Sequence, residues 1–323
     1  MSLAPFGRRS LGARAALLVV TLSVMTLGLM TPGLAAAAAQ LTFKTPEEAF
    51  AALVAAARAD DTKKLIAVLG HEGESFIVTD DPVADKAALQ RFVTAYDESN
   101  HIDMKDKNTA VLTVGKEEWP LPIPAVKKGK TWFLDSAEGK EEIIDRRIGR
   151  DELSAMAVCR AYVDAQREYA TKDRNNDGYI EYAQKFLSDP GTEDGLYWPT
   201  KEGEEESPLG PAVVEAQSAG YSVDQQHEGP TPYYGYFYRI LKAQGPHAPG
   251  GAYDYVVNGH MMGGFAMVAY PADYGVTGIM TFIINHDGDV YQKDLGPDTA
   301  AIAKKMTLYD PGPGWVKQAP ESP

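Results

Sequence analysis

The 323-residue sequence contains one cysteine, Cys159, so no disulfide within the chain can support the fold. Basic residues are also few: 31 Lys and Arg stand against 45 Asp and Glu, which gives a net charge of −14. Nucleic-acid binding needs a basic face, so this balance argues against DNA or RNA as a partner. The composition, 44% hydrophobic and 24% charged, is that of a globular protein and excludes extensive disorder.

The sequence also lacks the short motifs of common enzyme classes. HExxH, GxSxG, the phosphate-binding P-loop and the dinucleotide fingerprint are all missing, and no two of the six histidines have metal-ligand spacing. Cys159 lies in a helical pattern with no base nearby, which indicates a buried structural thiol rather than a nucleophile. Whether the protein is an enzyme stays open, and the sequence favours a non-enzyme.

Residues 1–39 have the pattern of a secretory signal peptide. Arg8, Arg9 and Arg14 precede an apolar run that starts at Ala15, and the small residues 35–39 suit a signal peptidase. The run is shorter than the roughly 20 residues that span a bilayer, which favours cleavage over a membrane anchor. We expect a periplasmic or secreted protein without a transmembrane span after cleavage, and leave open which export route it takes.

Residues 43–145 predict a small α+β domain in which helices precede a curved antiparallel sheet. Thr45-Pro46-Glu47-Glu48 is a typical helix start, while His71-Glu72 suggests a solvated loop. Prolines 120, 122 and 124 predict that the extended segment 119–127 lies at an edge of the sheet or forms a bulge. With the strand 129–135, this order resembles the cone-shaped domains of the nuclear-transport-factor-2-like superfamily. Helices are expected over 46–58, 61–69 and 85–96, and strands over 109–115, 119–127 and 130–135.

Residues 151–310 predict a long helix packed on a four- to five-stranded antiparallel meander. Residues 138–150 link the two domains as helix or loop, and the long helix runs over 151–171 with Gln166 as the polar member of its apolar face. Asn258-Gly259 and Asp287-Gly288 predict tight hairpin turns. A short helix is expected over 297–306, and residues 311–323 are expected to form a loose tail from which Trp315 packs back on the protein.

Two resemblances concern the second half and the whole chain. The helix segment 165–170 and the strands 263–271 and 277–291 resemble the globular head of type IV pilins and pseudopilins. The long helix here is amphipathic and follows another domain, so the resemblance does not imply pilus assembly. Segments 159–166, 194–199 and 282–288 resemble an exported bacterial family of unknown function (DUF 2950). That resemblance implies no particular activity.

Residues 173–184 match most of a calcium-binding loop of the EF-hand type. Oxygen-bearing side chains at alternate positions and a glycine at position six suit this hard cation. Position twelve is Gln184 instead of a bidentate glutamate, which should weaken binding, and a second helix is expected over 181–187. A turn without metal is the alternative. The predicted ligands are Asp173, Asn175, Asp177, Tyr179 (through its carbonyl), Glu181 and Gln184.

An aromatic segment offers a second candidate site. Five residues could form a platform for a sugar or peptide: Tyr197, Trp198, Tyr234, Tyr236 and Tyr238. We therefore expect an exported, soluble envelope protein that acts as a binding or interaction module, with a protein or glycan partner and a structural calcium ion. The alternative is a hydrolase with an acidic cleft between the domains, using carboxylates such as Asp164 or Glu168.

Overall fold

The computed structural model describes residues 39–222 and 231–319. The predicted signal peptide, except for residue 39, lies outside these ranges, and so do residues 320–323 of the predicted tail. Within the described ranges, no helix is both long and apolar enough to cross a membrane. Export of the chain stays a prediction.

The described chain begins with helices, continues into a small sheet, and ends with a long helix followed mostly by strands, which confirms the α+β class. The helices are α1 (Pro46–Arg58), α2 (Thr62–Leu69), α3 (His71–Ile77), α4 (Pro82–Glu98), α5 (Ser136–Tyr169), α6 (Gly210–Ser218) and α7 (Thr299–Lys305). The strands are β1 (Asn100–Met104), β2 (Thr109–Val114), β3 (Trp119–Pro120), β4 (Ala125–Lys128), β5 (Thr131–Leu134), β6 (Tyr236–Leu241), β7 (Ala243–Gln244), β8 (Tyr253–Asp254), β9 (Val256–Val257), β10 (His260–Met261), β11 (Ala266–Pro271), β12 (Met280–Asn285), β13 (Tyr291–Asp294), β14 (Leu308–Tyr309) and β15 (Val316–Lys317).

The first sheet is antiparallel and has the order β1-β2-β4-β5, with β3 paired to β2 beside this path. Helices α1, α2 and α4 pack against it, and Leu112 and Trp132 belong to the hydrophobic cluster that they cover. Pro120 has no backbone N–H to donate, and it lies in the short strand β3, as the proline pattern predicts. Helix α1 begins where the sequence indicates, because Thr45 Oγ1 accepts a hydrogen bond from the Glu48 N–H at 3.3 Å.

The second sheet is an antiparallel five-stranded meander of order β6-β11-β12-β13-β15. Tyr238 and Arg239 are neighbours in β6 and point to opposite faces of this sheet. Tyr238 lies beside residues of α5, whereas Arg239 donates to carbonyls of Ala303 and Met306 at the end of α7. Both faces are therefore covered, which explains why every residue of β11 is buried. The predicted long helix on a meander is confirmed.

Helix α5 belongs to both halves of the described chain. Residues 138–150 are helical and continuous with the predicted helix over 151–171. The helix contacts α3 in the first half and β11 and β12 in the second. One hydrophobic cluster contains residues from 43 to 144 and the other contains residues from 155 to 315. The ranges 43–145 and 151–310 thus each contain a core, and their status as separate domains stays a prediction.

The Asp81 side chain accepts three hydrogen bonds, two of which connect the two halves. Its side chain is buried, with 1% of the residue exposed. Oδ1 accepts from the Ala84 N–H at 2.9 Å and so caps α4. Oδ2 accepts from the Tyr221 hydroxyl and from the Gly235 N–H, both at 2.9 Å. One carboxylate in the first half thereby fixes two groups in the second.

Asp151 is a second buried carboxylate in the same region. It lies on α5, is 2% exposed, and accepts hydrogen bonds from Arg150 Nε and Nη2 at 3.2 and 3.1 Å. Burial raises its pKa to about 6, and Arg150 offsets part of that effect. A Cβ added to Gly235 would lie 2.9 Å from Asp151 Oδ2. The turn before β6 can approach this carboxylate closely because glycine has no side chain.

Two segments differ from the prediction. The expected solvated loop around His71 and Glu72 is helix α3, because Phe76 is 2% exposed and closes the first hydrophobic cluster. In the expected loose tail, β15 pairs with β13. Trp315 packs against the second cluster, as the sequence predicts. A two-residue strand has no sequence pattern of its own, because its pairing depends on an edge that another strand provides.

Two glycines of α5 offer a matched test of its packing. A Cβ at Gly139 would lie 2.5 Å from the Pro122 carbonyl oxygen, whereas a Cβ at Gly149 would meet nothing within 4 Å. We expect Gly139→Ala to lower the free energy of unfolding by about 2 kcal/mol, because backbone atoms must shift. Gly149→Ala should raise it by about 0.5–1 kcal/mol, through helix propensity alone. Urea denaturation measures both, and equal effects would contradict the close contact at Gly139.

Candidate functional site

The loop that starts at Asp173 is a tight turn built by its own polar side chains. Asp173 Oδ2 accepts from the Gly178 N–H at 2.9 Å, and Asn175 Oδ1 accepts from the Asp177 N–H at 3.2 Å. These bonds to the backbone, that from Gly178 first among them, lower the pKa of Asp173. Gly178 has φ +93° and Asn176 has φ +58°, which explains a glycine and an asparagine at these positions. The turn directs the Asp177 side chain toward the hairpin β9–β10.

Three potential metal ligands converge where the loop meets that hairpin. One ligand atom each from Asp177, Glu181 and His260 lies within 4.8 Å of the other two. His260 Nδ1 is 3.4 Å from Asp177 Oδ2 and 3.3 Å from Glu181 Oε2. Glu181 Oε2 also accepts from the Met261 N–H at 3.1 Å, which ties the loop to β10. Two carboxylates and an imidazole are ligands that divalent metals use.

The hairpin turn itself brings His260 into this cluster. Asn258 has φ +53° and Gly259 has φ +91°, the conformation of the tight turn that the sequence predicts. His260 in β10 pairs with Val257 in β9 directly beside that turn. His260 was not among the predicted ligands, because no other histidine or cysteine lies at ligand spacing from it in the sequence. Only the folded chain places it against residues about 80 positions earlier.

The remaining predicted ligands occupy other roles in the structure. The Tyr179 ring stacks on His260, with centroids 4.2 Å apart. Gln184 donates to the Gly259 carbonyl at 2.6 Å and accepts from Lys242 Nζ at 2.9 Å. Asn175 Nδ2 donates to Asp177 and Glu181, so a bound cation would require this amide to turn its oxygen inward. The ligand set proposed from the sequence stays a prediction, and Asp177 and Glu181 are the members that converge.

The helix expected after the loop does not form. Residues 181–187 are non-helical, and the Tyr182 N–H donates to the Met261 carbonyl at 2.8 Å. Gln166 of α5 binds both backbone groups of Ala183. Its Nε2 donates to the Ala183 carbonyl at 2.8 Å, and its Oε1 accepts from the Ala183 N–H at 2.8 Å. The buried polar residue of α5 thus satisfies backbone groups of the segment after the loop. It also keeps the segment extended, so the loop is not a helix–loop–helix unit.

A polar cavity of about 510 Å³ opens beside the three converging residues. Lys242 and Gln184 line one part of it, and Lys185 and Asp194 line another. Lys185 Nζ pairs with Asp194 Oδ2 at 2.5 Å, and hydrogen bonds from Lys185 and Thr192 hold the pKa of Asp194 at about 2 against the opposing effect of burial. The cavity gives solvent and small ions access to the cluster.

The structure separates the five predicted aromatic ligands. Tyr236 is fully buried and donates its hydroxyl to the Met280 carbonyl at 3.0 Å, so it is a core residue. Trp198 is 8% exposed and stacks on the Arg174 guanidinium at 5.4 Å. Tyr197 forms a β-bridge with Leu187. Only Tyr234 and Tyr238 line a common cavity.

That second cavity has a volume of about 730 Å³ and lies between α5, α6 and the chain on either side of residues 223–230. Its lining is mostly apolar. Ala157, Val158 and Ala161 form the wall on α5, and Ala212 and Val213 form the wall on α6. Volume and composition match those of ligand cavities in proteins. The residues that line it do not overlap with those of the polar cavity.

The carboxylates of the predicted hydrolase lie on the solvent side of α5. The Asp164 side chain is 81% exposed and lies 3.9 Å from Arg167, and Glu168 is also exposed. The buried carboxylates of the junction, Asp81 and Asp151, are bound by backbone N–H groups, a phenol and arginine. These bonds are of the kind that structural carboxylates make.

The fold and these sites define an α+β protein with a candidate cation site and a separate apolar cavity. The chain belongs to the family described as a protein of unknown function (DUF2950), whose profile matches residues 40–318. This confirms the family resemblance. No curated protein and no solved structure matches the chain. The pilin-head and transport-factor resemblances therefore stay predictions.

Proposed function

We propose that this chain is an exported binding module of the bacterial envelope in which a divalent cation joins loop 173–184 to the hairpin β9–β10. The convergence of Asp177, Glu181 and His260 carries this proposal. Two neighbouring carboxylates repel each other, and a cation between them removes that repulsion. Because the ligands come from segments about 80 residues apart, the ion would act as a cross-link between loop and hairpin.

The imidazole favours a transition-metal ion such as Zn²⁺ or Mn²⁺. Calcium binds oxygen ligands almost exclusively, whereas zinc and manganese accept histidine together with carboxylates. His260 Nδ1 faces both carboxylates at 3.3–3.4 Å, which is a distance that an ion of this size bridges after a small adjustment. The Tyr179 ring stacked on His260 supports its orientation.

Calcium is the second candidate, and the oxygen-rich loop favours it. Asp173, Asn175, Asp177 and Glu181 offer carboxylate or amide oxygens at alternate positions. Calcium would have to draw Asp173 from its backbone bonds and leave His260 outside the ligand set. The two candidates therefore differ in their dependence on His260.

Calorimetry of the EDTA-treated full chain tests the proposal and separates the ions. We expect saturable 1:1 binding of Zn²⁺ or Mn²⁺ that His260→Asn weakens by about tenfold or more, because an imidazole ligand is lost. Asp177→Asn should weaken the binding of every divalent ion.

His247→Asn is the matched control. His247 Nδ1 lies 3.0 Å from Asp310 Oδ2, so it has a carboxylate partner like His260 but is not part of the converging cluster. Calcium binding that His260→Asn leaves intact would select the second candidate. No binding of any of these ions at millimolar concentration would reduce the cluster to a metal-free ion pair and overturn the cation site.

The apolar cavity, rather than the ion, supports a function as a binding module. Asp164 and Glu168, the acids of the hydrolase alternative, lie on the exposed side of α5. The chain instead offers a large cavity with an apolar lining. A protein or glycan partner in the envelope remains part of the proposal, because the sequence pattern of an exported protein supports it.

A further inference from the structure

We propose that the apolar cavity between α5 and α6 binds a small organic cation with an apolar body, such as a quaternary ammonium compound that carries an aromatic ring. The cavity, about 730 Å³, is large enough for a molecule of this kind. It shares no lining residue with the cation cluster, so this proposal does not depend on the metal site.

Small side chains open this space between the two helices. Ala157 and Ala161 lie one helical turn apart on α5, and Ala212 and Ala216 lie one turn apart on α6. Larger residues at these four positions would fill the gap between the helices. The wall that results offers methyl groups and no strong hydrogen-bonding partner, which suits an apolar body.

Tyrosine rings that are inclined to one another form the other side of the cavity. Tyr221 and Tyr233 meet edge to face, with centroids 4.8 Å apart, and Tyr233 and Tyr234 are 4.4 Å apart at 44°. Tyr238 donates its hydroxyl to the Tyr233 carbonyl at 3.2 Å. These rings line one volume, and aromatic cages recognise quaternary ammonium groups with such rings.

Hydrogen bonds fix these rings before any ligand arrives. The Tyr221 hydroxyl donates to the buried Asp81 carboxylate and accepts from the Tyr234 N–H at 3.1 Å. Burial, followed by the Asp81 charge, raises the pKa of Tyr221 above its usual value, so the phenol stays neutral. A preformed cage of this kind loses little conformational entropy on binding.

The charge of the lining selects a cation over an anion. Glu215 on α6 is the only ionised side chain among the described lining residues, and it lies exposed at the cavity's rim. Its charge is one of the effects that raise the pKa of Tyr233, after burial and Tyr234, which places it within electrostatic reach of the rings. A carboxylate and the π-faces both attract positive charge, and none of the described lining residues is Lys or Arg.

The test compares three probes of similar shape on the full chain by equilibrium dialysis. Benzyltrimethylammonium is the cation, neopentylbenzene is its neutral isostere, and benzylsulfonate is the anion. We expect saturable 1:1 binding of the cation, about tenfold tighter than the neutral isostere, and no measurable binding of the anion. Higher salt should weaken the cation's binding, because Glu215 is exposed and screened.

Two variants assign the preference to the proposed residues. Glu215→Gln should lower affinity for the cation by about threefold to tenfold and leave the neutral isostere unchanged. Tyr234→Leu should remove most of the cation's advantage while keeping an apolar wall. Glu206→Gln, an exposed glutamate outside the lining, is the matched control and should change neither affinity.

Three outcomes would overturn the proposal. Equal affinity for the cation and the neutral isostere would make the cavity a site for uncharged apolar molecules. Tighter binding of benzylsulfonate would show that the lining attracts anions. Absence of binding of all three probes at millimolar concentration would show that the cavity is not a ligand site. Circular dichroism of each variant confirms that the fold is retained.

Discussion

Asp81→Ala is expected to lower the free energy of unfolding by about 4 kcal/mol, because it leaves buried donors without partners and removes a helix cap. The Gly235 N–H and the Tyr221 hydroxyl both donate to Asp81 Oδ2 at 2.9 Å. Each unsatisfied buried group costs about 1–3 kcal/mol, and the lost cap of α4 adds about 1 kcal/mol. Urea denaturation followed by circular dichroism measures the loss.

Asp61→Ala is the matched control for this substitution. Asp61 caps α2 through the Lys64 N–H at 3.0 Å, but it is partly exposed and pairs with Lys64 of the same helix. Its loss should cost only about 1 kcal/mol. Tyr221→Phe, which removes the hydroxyl between Asp81 and the Tyr234 N–H, should cost about 1–3 kcal/mol and keeps the test usable if Asp81→Ala does not fold. A cost of Asp81→Ala no larger than that of Asp61→Ala would contradict the role of Asp81 in joining the two halves.

Asp151→Asn is expected to stabilise the protein at high pH and to lose that effect in acid. The pKa of Asp151 is about 6 in the folded chain against an ordinary value of 3.8, so the folded state binds its proton more tightly than the unfolded state does. Between these two values, stability of the wild type falls as pH rises, and above pH 6 the penalty is complete. Two pKa units correspond to about 3 kcal/mol.

The measurement is the free energy of unfolding of both proteins from pH 4 to pH 8. The difference in favour of Asp151→Asn should grow by about 2.5 kcal/mol across this range, because asparagine carries no titrating proton but can still accept from Arg150. Asp164→Asn, on the exposed side of the same helix, should stay within about 0.5 kcal/mol of wild type throughout. A difference for Asp151→Asn that does not vary with pH would show that burial does not shift this carboxyl group.

Local patterns in the sequence predicted the elements that depend on their own residues. The Thr45 cap and Pro46 define the start of α1, and Asn258-Gly259 defines the turn of β9–β10, because each acts within four residues. The order of helices and antiparallel strands followed from such patterns, and so did the long helix on a meander. The family match over residues 40–318 agrees with the resemblance drawn from short segments.

Elements that depend on distant partners could not be predicted in the same way. Helix α3 contains Gly73 and has no side-chain cap, so it has a weak local pattern and relies on the burial of Phe76. Strand β15 exists because β13 offers an unpaired edge. The helix expected over 181–187 is absent because Gln166 holds Ala183 in an extended chain.

The candidate site shows the same division. Loop spacing identified Asp177 and Glu181, because the turn that brings them together is local. His260 was missed, since a hairpin far along the chain delivers it. Among the aromatic residues, strand alternation places Tyr236 and Tyr238 on the same face of β6, so only the folded chain separates them: one lies in the core and the other lines a cavity.

The uninterrupted helix α5 constrains how this fold can be divided or recombined. Its 34 residues extend over about 51 Å, and both hydrophobic clusters pack on it. In a chimera between two members of the family, the whole helix comes from a single parent when the crossover falls before Ser136 or after Tyr169. Exchange at residue 150, the border suggested by the sequence, would instead combine two half-helices whose faces were selected against different neighbours.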